Sequence, residues 1–194
     1  MHRIAVIASG TGTNAENLAR AFADSPQARV VLMLSNKADA GAHSRLNALG
    51  IPSVTFTNQE WAECPDKILA LLHAESIDFI ALCGFLRKVH PAIVAAYKGR
   101  IVNIHPSLLP RHGGKGMYGM KVHQAVIDAG DEQTGATVHY VTDEMDEGDI
   151  IIQGCVPVIP GDDAATVAAK VHAVEMDIYP QAVAKALSET TFQP

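Results

Sequence analysis

Two polar side chains at the end of an apolar run are the first candidates for chemistry in this sequence. The run Ile101 to His105 reads IVNIH and is followed by Pro106. Because side chains alternate along a strand, Asn103 and His105 project to the same side. Asparagine supplies a neutral hydrogen-bond donor, and histidine can donate to a developing oxyanion or exchange a proton near neutral pH. The spacing indicates an active site, with a structural hydrogen-bonding histidine as the alternative.

A glycine-rich turn follows the first apolar run and is the second candidate. Residues 9–15 read SGTGTNA, and Thr13 with Glu16 fits a capping box that opens a helix. Glycine lets the backbone approach a ligand closely, and free N–H groups at a helix start attract an anion. We predict a phosphate site here, with a turn that binds nothing as the alternative. The turn also fits a dinucleotide fingerprint, but residues 35–37 read SNK and offer no acid for a ribose, which disfavours NAD and leaves NADP barely open.

An acidic loop is the third candidate. Residues 143–149 read DEMDEGD and hold five acidic side chains. Met145 stands where a calcium loop needs an oxygen ligand at its third position, so we do not expect a calcium site. An acidic turn is ordinarily solvated, but one buried carboxylate could orient a histidine and stabilise its imidazolium.

Apolar runs that alternate with segments of helical period predict the elements that hold these residues. Strands are expected near residues 3–8, 29–35, 52–56, 78–84 and 101–105. Helices are expected near residues 14–24, 40–49, 60–75, 90–97, 120–129 and 163–187. The early strands are continuously apolar, which suits a parallel sheet covered on both faces. Residues 136–142 and 149–153 flank a loop too short for a parallel crossover, so we predict an antiparallel pair.

The predicted fold is α/β and Rossmann-like: a mostly parallel twisted sheet with helices on both faces and an antiparallel strand pair near the C-terminus. Ligands of such sheets bind beyond the C-terminal ends of the strands, where the candidate residues lie. With 194 residues, of which 48% are hydrophobic, we expect a single domain over residues 1–194.

Composition excludes several classes of partner. A net charge of −6 gives no electrostatic basis for binding nucleic acid. No apolar stretch reaches the roughly 20 residues that span a bilayer, and the N-terminal residues lack the pattern of a signal peptide. Cys64, Cys83 and Cys155 form neither a disulfide framework nor a paired-cysteine zinc site. We expect a cytoplasmic monomer or homodimer that binds no metal, nucleic acid or membrane.

Taken together, the segments resemble the phosphoribosylglycinamide formyltransferase family, whose members use 10-formyltetrahydrofolate. The resemblance runs almost end to end and rests on SGTGTN at 9–14, SNKADA at 35–40, GFLRKV at 84–89, NIHPSLLP at 103–110, VHYVTDEMDEGDII at 138–151 and VEMDIYP at 174–180. It implies transfer of a formyl group from 10-formyltetrahydrofolate to the amine of glycinamide ribonucleotide in purine biosynthesis. The amine attacks directly through a tetrahedral intermediate, without a metal.

The resemblance also implies roles for individual residues. The catalytic residues are Asn103, His105 and Asp146. The ribonucleotide is held by the backbone of Gly12, Thr13 and Asn14 at its phosphate and by Glu175 at its ribose. The implied folate-binding residues are Leu86, Arg87, Lys88, Val89, Asn103, Thr142, Asp143, Glu144, Met145 and Asp146. His105, kept protonated by Asp146, would stabilise the oxyanion with Asn103 and help to move a proton towards the departing folate nitrogen.

Two departures from the family pattern concern the ligands. Residues 111–119, RHGGKGMYG, are longer and richer in glycine than the stretch expected in many relatives, and Lys115 within them could reach an anionic ligand. Residues 59–61 offer no clear equivalent of an arginine that relatives use on the folate side. The formyl chemistry is therefore better determined than the acceptor.

Several other functions share some of these features. Formyltetrahydrofolate deformylase, methionyl-tRNA formyltransferase and a formyltransferase acting on another phosphorylated amine, such as a sugar nucleotide, share the catalytic segment. Methionyl-tRNA formyltransferase is disfavoured because the chain is acidic and shows no C-terminal tRNA-binding domain. The deformylase is disfavoured because its usual N-terminal regulatory domain has no counterpart before the strand expected near residue 3. The rival of a different class is an NADP-binding or nucleotide-binding protein that uses only the glycine-rich turn.

Overall fold

The computed structural model describes residues 1–190 of the chain. Its strands are β1 (His2–Ile7), β2 (Ala28–Ser35), β3 (Ser53–Thr55), β4 (Phe79–Leu82), β5 (Ile101–His105), β6 (Gln133–Tyr140) and β7 (Ile150–Pro157). Its helices are α1 (Thr13–Ala21), α2 (Gly41–Ala48), α3 (Asn58–Glu63), α4 (Pro65–Ala74), α5 (Pro91–Ala96), α6 (Met120–Asp128) and α7 (Ala164–Glu189).

The seven strands form one sheet in the order β3-β2-β1-β4-β5-β6-β7. The first five pair in parallel, and β6 runs antiparallel to both β5 and β7. The mostly parallel α/β fold is therefore confirmed, as is the predicted antiparallel pair of β6 and β7. The sequence did not reveal that β6 also pairs with β5, which brings the two strands carrying Asn103 and His139 side by side.

Both faces of the sheet are covered, which explains the continuously apolar strands. Ile4 to Ile7 of β1 are completely buried. One face packs against α1 and α7 through residues such as Leu18 and Val183, and the other packs against α4 and α5 through residues such as Ile68 and Ile93. Side chains that alternate along a central strand thus enter two separate apolar layers, as expected for a parallel sheet between helices.

The predicted capping box at the start of α1 is wrong. Gly12 is the residue that precedes the helix, with φ of 80°, and no side chain caps the helix start. Thr13 already lies in the helix, while the Glu16 carboxylate accepts hydrogen bonds from Arg20 and Arg45. The side chain of Glu16 therefore pairs with cations and leaves the backbone N–H groups of the turn open.

The predicted helix 60–75 is two helices, α3 and α4. Thr57 and Glu60 form a capping box that starts α3, and Cys64 leaves the helical region with φ of −126° and ψ of 51°. Pro65 then starts α4. Proline lacks an N–H and disfavours helical geometry in the residue before it, so the break at Cys64 follows from the sequence.

A buried hydrogen bond ties α7 to the end of β4. The Tyr179 hydroxyl donates to the backbone carbonyl of Leu82 over 2.7 Å, and the tyrosine is fully buried. Because α7 also carries Glu175 one turn earlier, this bond fixes that acid relative to the strand ends. The fold thereby positions a helix against the edge where the candidate site lies.

Tyr179→Phe should lower the free energy of unfolding by about 1–3 kcal/mol, because the buried Leu82 carbonyl loses its donor. The matched control is Tyr118→Phe, since Tyr118 is 46% exposed. The control should change stability by less than about 0.5 kcal/mol. Urea denaturation of the three proteins measures the difference, and equal stabilities would contradict a structural role for this bond.

Candidate active site

A cleft of about 830 Å³ opens at the C-terminal ends of β1, β4 and β5. Its walls are the turn after β1, the segment 82–89 after β4, the loops 114–120 and 141–146, and one side of α7. From β1 the sheet continues to β2 on one side and to β4 on the other. The cleft therefore lies at the topological switch point, where α/β sheets of this kind bind ligands.

The glycine-rich turn forms one end of the cleft. Gly12 has a left-handed φ of 80°, and a Cβ built on it would lie 2.5 Å from the Cα and Cβ of Ala42 in α2. Glycine is thus required by the backbone conformation and by close packing of α1 on α2. A bulky residue at Gly12 would therefore disturb this packing as well as any ligand approach. Gly12, Thr13 and Asn14 all line the cleft.

Glu175 is fixed beside this turn. Its Oε2 accepts from Asn14 Nδ2 over 3.2 Å and lies 3.2 Å from His172 Nδ1. Asn14 Oδ1 is buried and has no hydrogen-bond partner among residues 1–190. The four residues predicted to bind a ribonucleotide therefore line the same end of the cleft, although they come from opposite ends of the chain.

The predicted catalytic residues also come together. Asp146 Oδ2 lies 3.6 Å from His105 Nδ1, and Asp146 Oδ1 lies 3.6 Å from His139 Nε2. Asn103 Nδ2 lies 3.2 Å from the same nitrogen of His139. All four side chains line the cleft, which makes this cluster the candidate catalytic centre.

Asp146 differs from the other acids of its loop because its side chain is only 10% exposed, whereas Asp143, Glu144, Glu147 and Asp149 are exposed. Its φ of 59° turns the carboxylate inward, where Oδ2 accepts the Gly114 N–H over 2.9 Å. Burial raises the pKa of Asp146, but the neighbouring His139, the Gly114 N–H and the charge of His105 outweigh burial and lower the pKa overall. The carboxylate is therefore ionised at neutral pH.

His105 is almost completely buried, and both of its ring nitrogens face oxygen atoms. Nδ1 faces the Asp146 carboxylate, and Nε2 lies 2.9 Å from the backbone carbonyl of His112. An imidazolium has an N–H for each of these acceptors, while a neutral ring has only one. The site therefore offers an oxygen acceptor to each ring nitrogen of His105.

His139 is a member of the centre that the sequence reasoning missed. Its Nδ1 lies 2.9 Å from the Tyr140 carbonyl, and its Nε2 lies 3.2 Å from Asn103 Nδ2 and 3.6 Å from Asp146 Oδ1. His139 pairs with Asn103 across β5 and β6. His139 could have been found only from the antiparallel pairing of β5 and β6. The spacing of residues within either strand does not reveal this pairing.

The predicted folate segment after β4 lines the middle of the cleft. Leu86 is 48% exposed and Val89 is buried, and the Leu86 N–H donates to Ser9 Oγ over 2.9 Å. Beneath this segment, the Trp61 ring packs on Phe85 with ring centres 4.6 Å apart. Trp61 thus supports the segment through Phe85.

On the opposite wall of the cleft, the hairpin loop supplies Thr142, Glu144, Met145 and Asp146, whereas Asp143 does not line the cleft. Met145, which is exposed, adds an apolar surface to the cleft that Leu86 and Val89 also line. The structure therefore brings together all the predicted folate residues except Asp143.

The segment 111–119 is anchored outside the cleft and reaches into it. Arg111 forms an ion pair with Asp131, and His112 Nε2 lies 2.7 Å from the same carboxylate. The side chains of Asp131 and His112 are 6% and 14% exposed, whereas that of Arg111 is 64% exposed. Lys115 and its neighbours then line the cleft. The segment 111–119, which departs from the family pattern, thus contacts the candidate catalytic centre. The His112 carbonyl faces His105, and the Gly114 N–H donates to Asp146.

Residues 1–190 lack two features that are typical of other kinds of site. Within that range, no group of three or more His, Cys, Asp or Glu side chains is arranged to hold a metal ion. None of the helices there has the length and apolar character needed to cross a membrane.

A family model described as Formyl transferase matches residues 2–183. The chain belongs to the formyl transferase family. The phosphoribosylglycinamide formyltransferase of Haemophilus influenzae is 37% identical to this formyl transferase chain, over 93% of the chain and 84% of the relative. The trifunctional purine biosynthetic protein adenosine-3 of Drosophila melanogaster is 38% identical over 97% of the chain, which spans only 14% of that protein.

Solved structures of the family have the same fold. The phosphoribosylglycinamide formyltransferase from Brucella melitensis is 38% identical, with a TM-score of 0.86, and the match covers 100% of this chain and 99% of that one. The enzyme from Anaplasma phagocytophilum gives a TM-score of 0.89 at 31% identity, covering 97% of this chain and 87% of that one. The family resemblance stated from the sequence is therefore confirmed.

Asp146→Asn should reduce the stability of the formyl transferase fold more at pH 7 than near pH 3. Because the folded-state pKa of Asp146 lies below its ordinary value of 3.8, the carboxylate stabilises the fold above that pH. This contribution is lost as the pH falls through the lowered folded-state pKa. Urea denaturation of both proteins between pH 7 and pH 3 measures the difference.

The matched control for this prediction is Glu147→Gln, which changes an exposed acid of the same loop. It should alter the free energy of unfolding by less than about 0.5 kcal/mol at every pH. A stability difference between wild type and Asp146→Asn that stays constant with pH would contradict the lowered pKa.

Proposed function

We propose that this chain transfers the formyl group of 10-formyltetrahydrofolate to the amine of glycinamide ribonucleotide. The observation that carries the proposal is the meeting of an ionised Asp146 with His105 and Asn103 in one cleft with the glycine-rich turn. The names of the relatives support the same reaction and the same acceptor.

The reaction needs a hydrogen-bond donor where negative charge develops. The amine nitrogen attacks the formyl carbon, and the carbonyl oxygen becomes negative in the tetrahedral intermediate. His105 Nε2 and the second N–H of Asn103 Nδ2 are the donors that meet this oxygen. Nε2 faces the His112 carbonyl in this structure, so the proposed mechanism requires the formyl oxygen to take the place of that carbonyl when it binds.

Collapse of the intermediate breaks the bond between the formyl carbon and the folate nitrogen. His105 gives its Nε2 proton to the departing nitrogen, and the proton lost by the attacking amine passes to solvent. Asp146 stays ionised throughout and stabilises the imidazolium before the transfer. The side chains therefore complete the reaction without a covalent enzyme intermediate.

The two substrates are assigned to opposite ends of the cleft. The backbone of Gly12, Thr13 and Asn14 binds the phosphate of the ribonucleotide, and the fixed carboxylate of Glu175 accepts from its ribose hydroxyls. The folate lies along Leu86 to Val89 and against Thr142 to Asp146. Lys115 is a further cation at the cleft, available to an anionic group of either substrate.

One contact argues against the NADP-binding alternative. Asn36, which stands where a dinucleotide site needs a ribose-binding residue, is 7% exposed, and its side chain accepts from Ser9 Oγ and donates to Asn58. Its polar atoms already have partners within the protein. Fluorescence titration with NADPH and with a folate analogue distinguishes the two functions, and tight binding of NADPH alone would contradict the proposal.

The direct test supplies 10-formyltetrahydrofolate with glycinamide ribonucleotide and, separately, with water alone. Release of tetrahydrofolate should require the ribonucleotide and should yield one formylated amine for each folate released. Equal release with water alone would identify a deformylase. No release in either case would reject formyl transfer to this acceptor.

Asp146→Asn should reduce kcat by roughly 10²–10⁴ with little change in the Kd of a folate analogue, the usual loss for acid–base assistance. His105→Ala should be at least as damaging. The double variant should be little worse than the more severe single variant, because the two residues act as a unit. Glu147→Gln is the control and should keep wild-type turnover; near-wild-type kcat in either single variant would show that the chemistry lies elsewhere.

The dephosphorylated acceptor should lose a factor of roughly 10²–10³ in kcat/KM, corresponding to about two charge-assisted hydrogen bonds. The free riboside is compared with the ribonucleotide at the same folate concentration. Comparable kcat/KM for the two acceptors would remove the assignment of a phosphate to Gly12, Thr13 and Asn14.

A further inference from the structure

A fourth histidine lines the cleft and has no role in the reaction described above. His123 lies in the first turn of α6, directly after the segment 111–119, and is 6% exposed. Its ring lines the same cleft as Asn103, His105 and His139. A buried polar side chain beside a catalytic centre needs a polar partner, because leaving it unpaired is unfavourable.

The two ring nitrogens of His123 have different surroundings. Nδ1 is completely enclosed and has no hydrogen-bond partner among residues 1–190. The atom through which His123 can meet a ligand in the cleft is therefore Nε2. An N–H at Nε2 would find a hydrogen-bond acceptor only in solvent or a ligand that occupies the cleft.

The charge on the ring follows from its position. Burial lowers the pKa of His123, and the nearby charge of His105 lowers it further. The ring is therefore neutral when His105 is an imidazolium, and it carries one N–H. Because Nδ1 is enclosed without an acceptor, the N–H is better placed on Nε2, where solvent or a ligand can accept it.

We propose that His123 is a third hydrogen-bond donor to the oxyanion of the tetrahedral intermediate, acting from Nε2 beside Asn103 and His105. The proposal rests on the formyl transfer proposed above. A neutral imidazole can polarise a carbonyl without giving up its proton. His105 must lose a proton to the departing nitrogen, whereas His123 keeps its proton and continues to stabilise the negative oxygen.

Substitutions separate a donor role from a basic or structural role. The amide nitrogen of glutamine reaches the position of His Nε2, whereas the asparagine amide reaches only that of Nδ1. His123→Gln should therefore retain most of the turnover. His123→Asn and His123→Leu should lower kcat about 10²-fold or more, the usual cost of one oxyanion donor, with the Kd values of ribonucleotide and folate analogue unchanged.

The matched control is His73→Gln, because His73 lies on the exposed side of α4 outside the cleft. It should keep wild-type kcat. Near-wild-type kcat in His123→Leu would overturn the proposal, as would a His123→Gln variant as slow as His123→Leu, which would indicate a base or a steric role. A wild-type protein without formyl transfer would reject the proposed function itself, which distinguishes the two failures.

A measurement on the wild-type protein keeps the proposal testable if a variant fails to fold. The ¹⁵N chemical shifts of labelled histidine distinguish the tautomers of a neutral ring. At pH 7, His123 should be neutral with its proton on Nε2. A proton on Nδ1 would leave Nε2 unable to donate and would overturn the proposal.

Discussion

The site depends on one buried carboxylate that must remain ionised. Asp146 is held by the Gly114 N–H and lies within 3.6 Å of both His105 and His139. These four residues come from β5, β6 and two separate loops, so the sheet and both loops must be folded before the carboxylate is satisfied. An isolated buried charge would be strongly unfavourable, and the cluster makes this charge compatible with burial.

The cluster also affects the charge of the neighbouring histidines. Burial and the nearby charge of His105 lower the pKa of His123 and so favour a neutral ring there. Two charged histidines side by side would repel each other, and the proposed reaction uses His105 as the proton donor and His123 as the neutral donor. Asn103 and His139 complete the polar network, with Asn103 Nδ2 3.2 Å from His139 Nε2.

Candidate residues whose placement follows from their own segment could be predicted from the sequence. Asn103 and His105 were predicted from strand alternation, and the resemblance added Asp146. His139 and the His112 carbonyl were missed, because their roles arise from strand pairing and loop packing between distant segments. The capping box at Thr13 failed for a similar reason, since Arg20 and Arg45 bind the Glu16 carboxylate and Arg45 lies on a different helix.

The proposed reaction requires an ionised Asp146 beside a doubly protonated His105. A neutron crystal structure of the deuterium-exchanged protein at pH 7 locates these protons directly. The account predicts deuterons on both Nδ1 and Nε2 of His105 and none on the Asp146 carboxylate. A deuteron on Asp146, or a bare Nδ1 on His105, would contradict it.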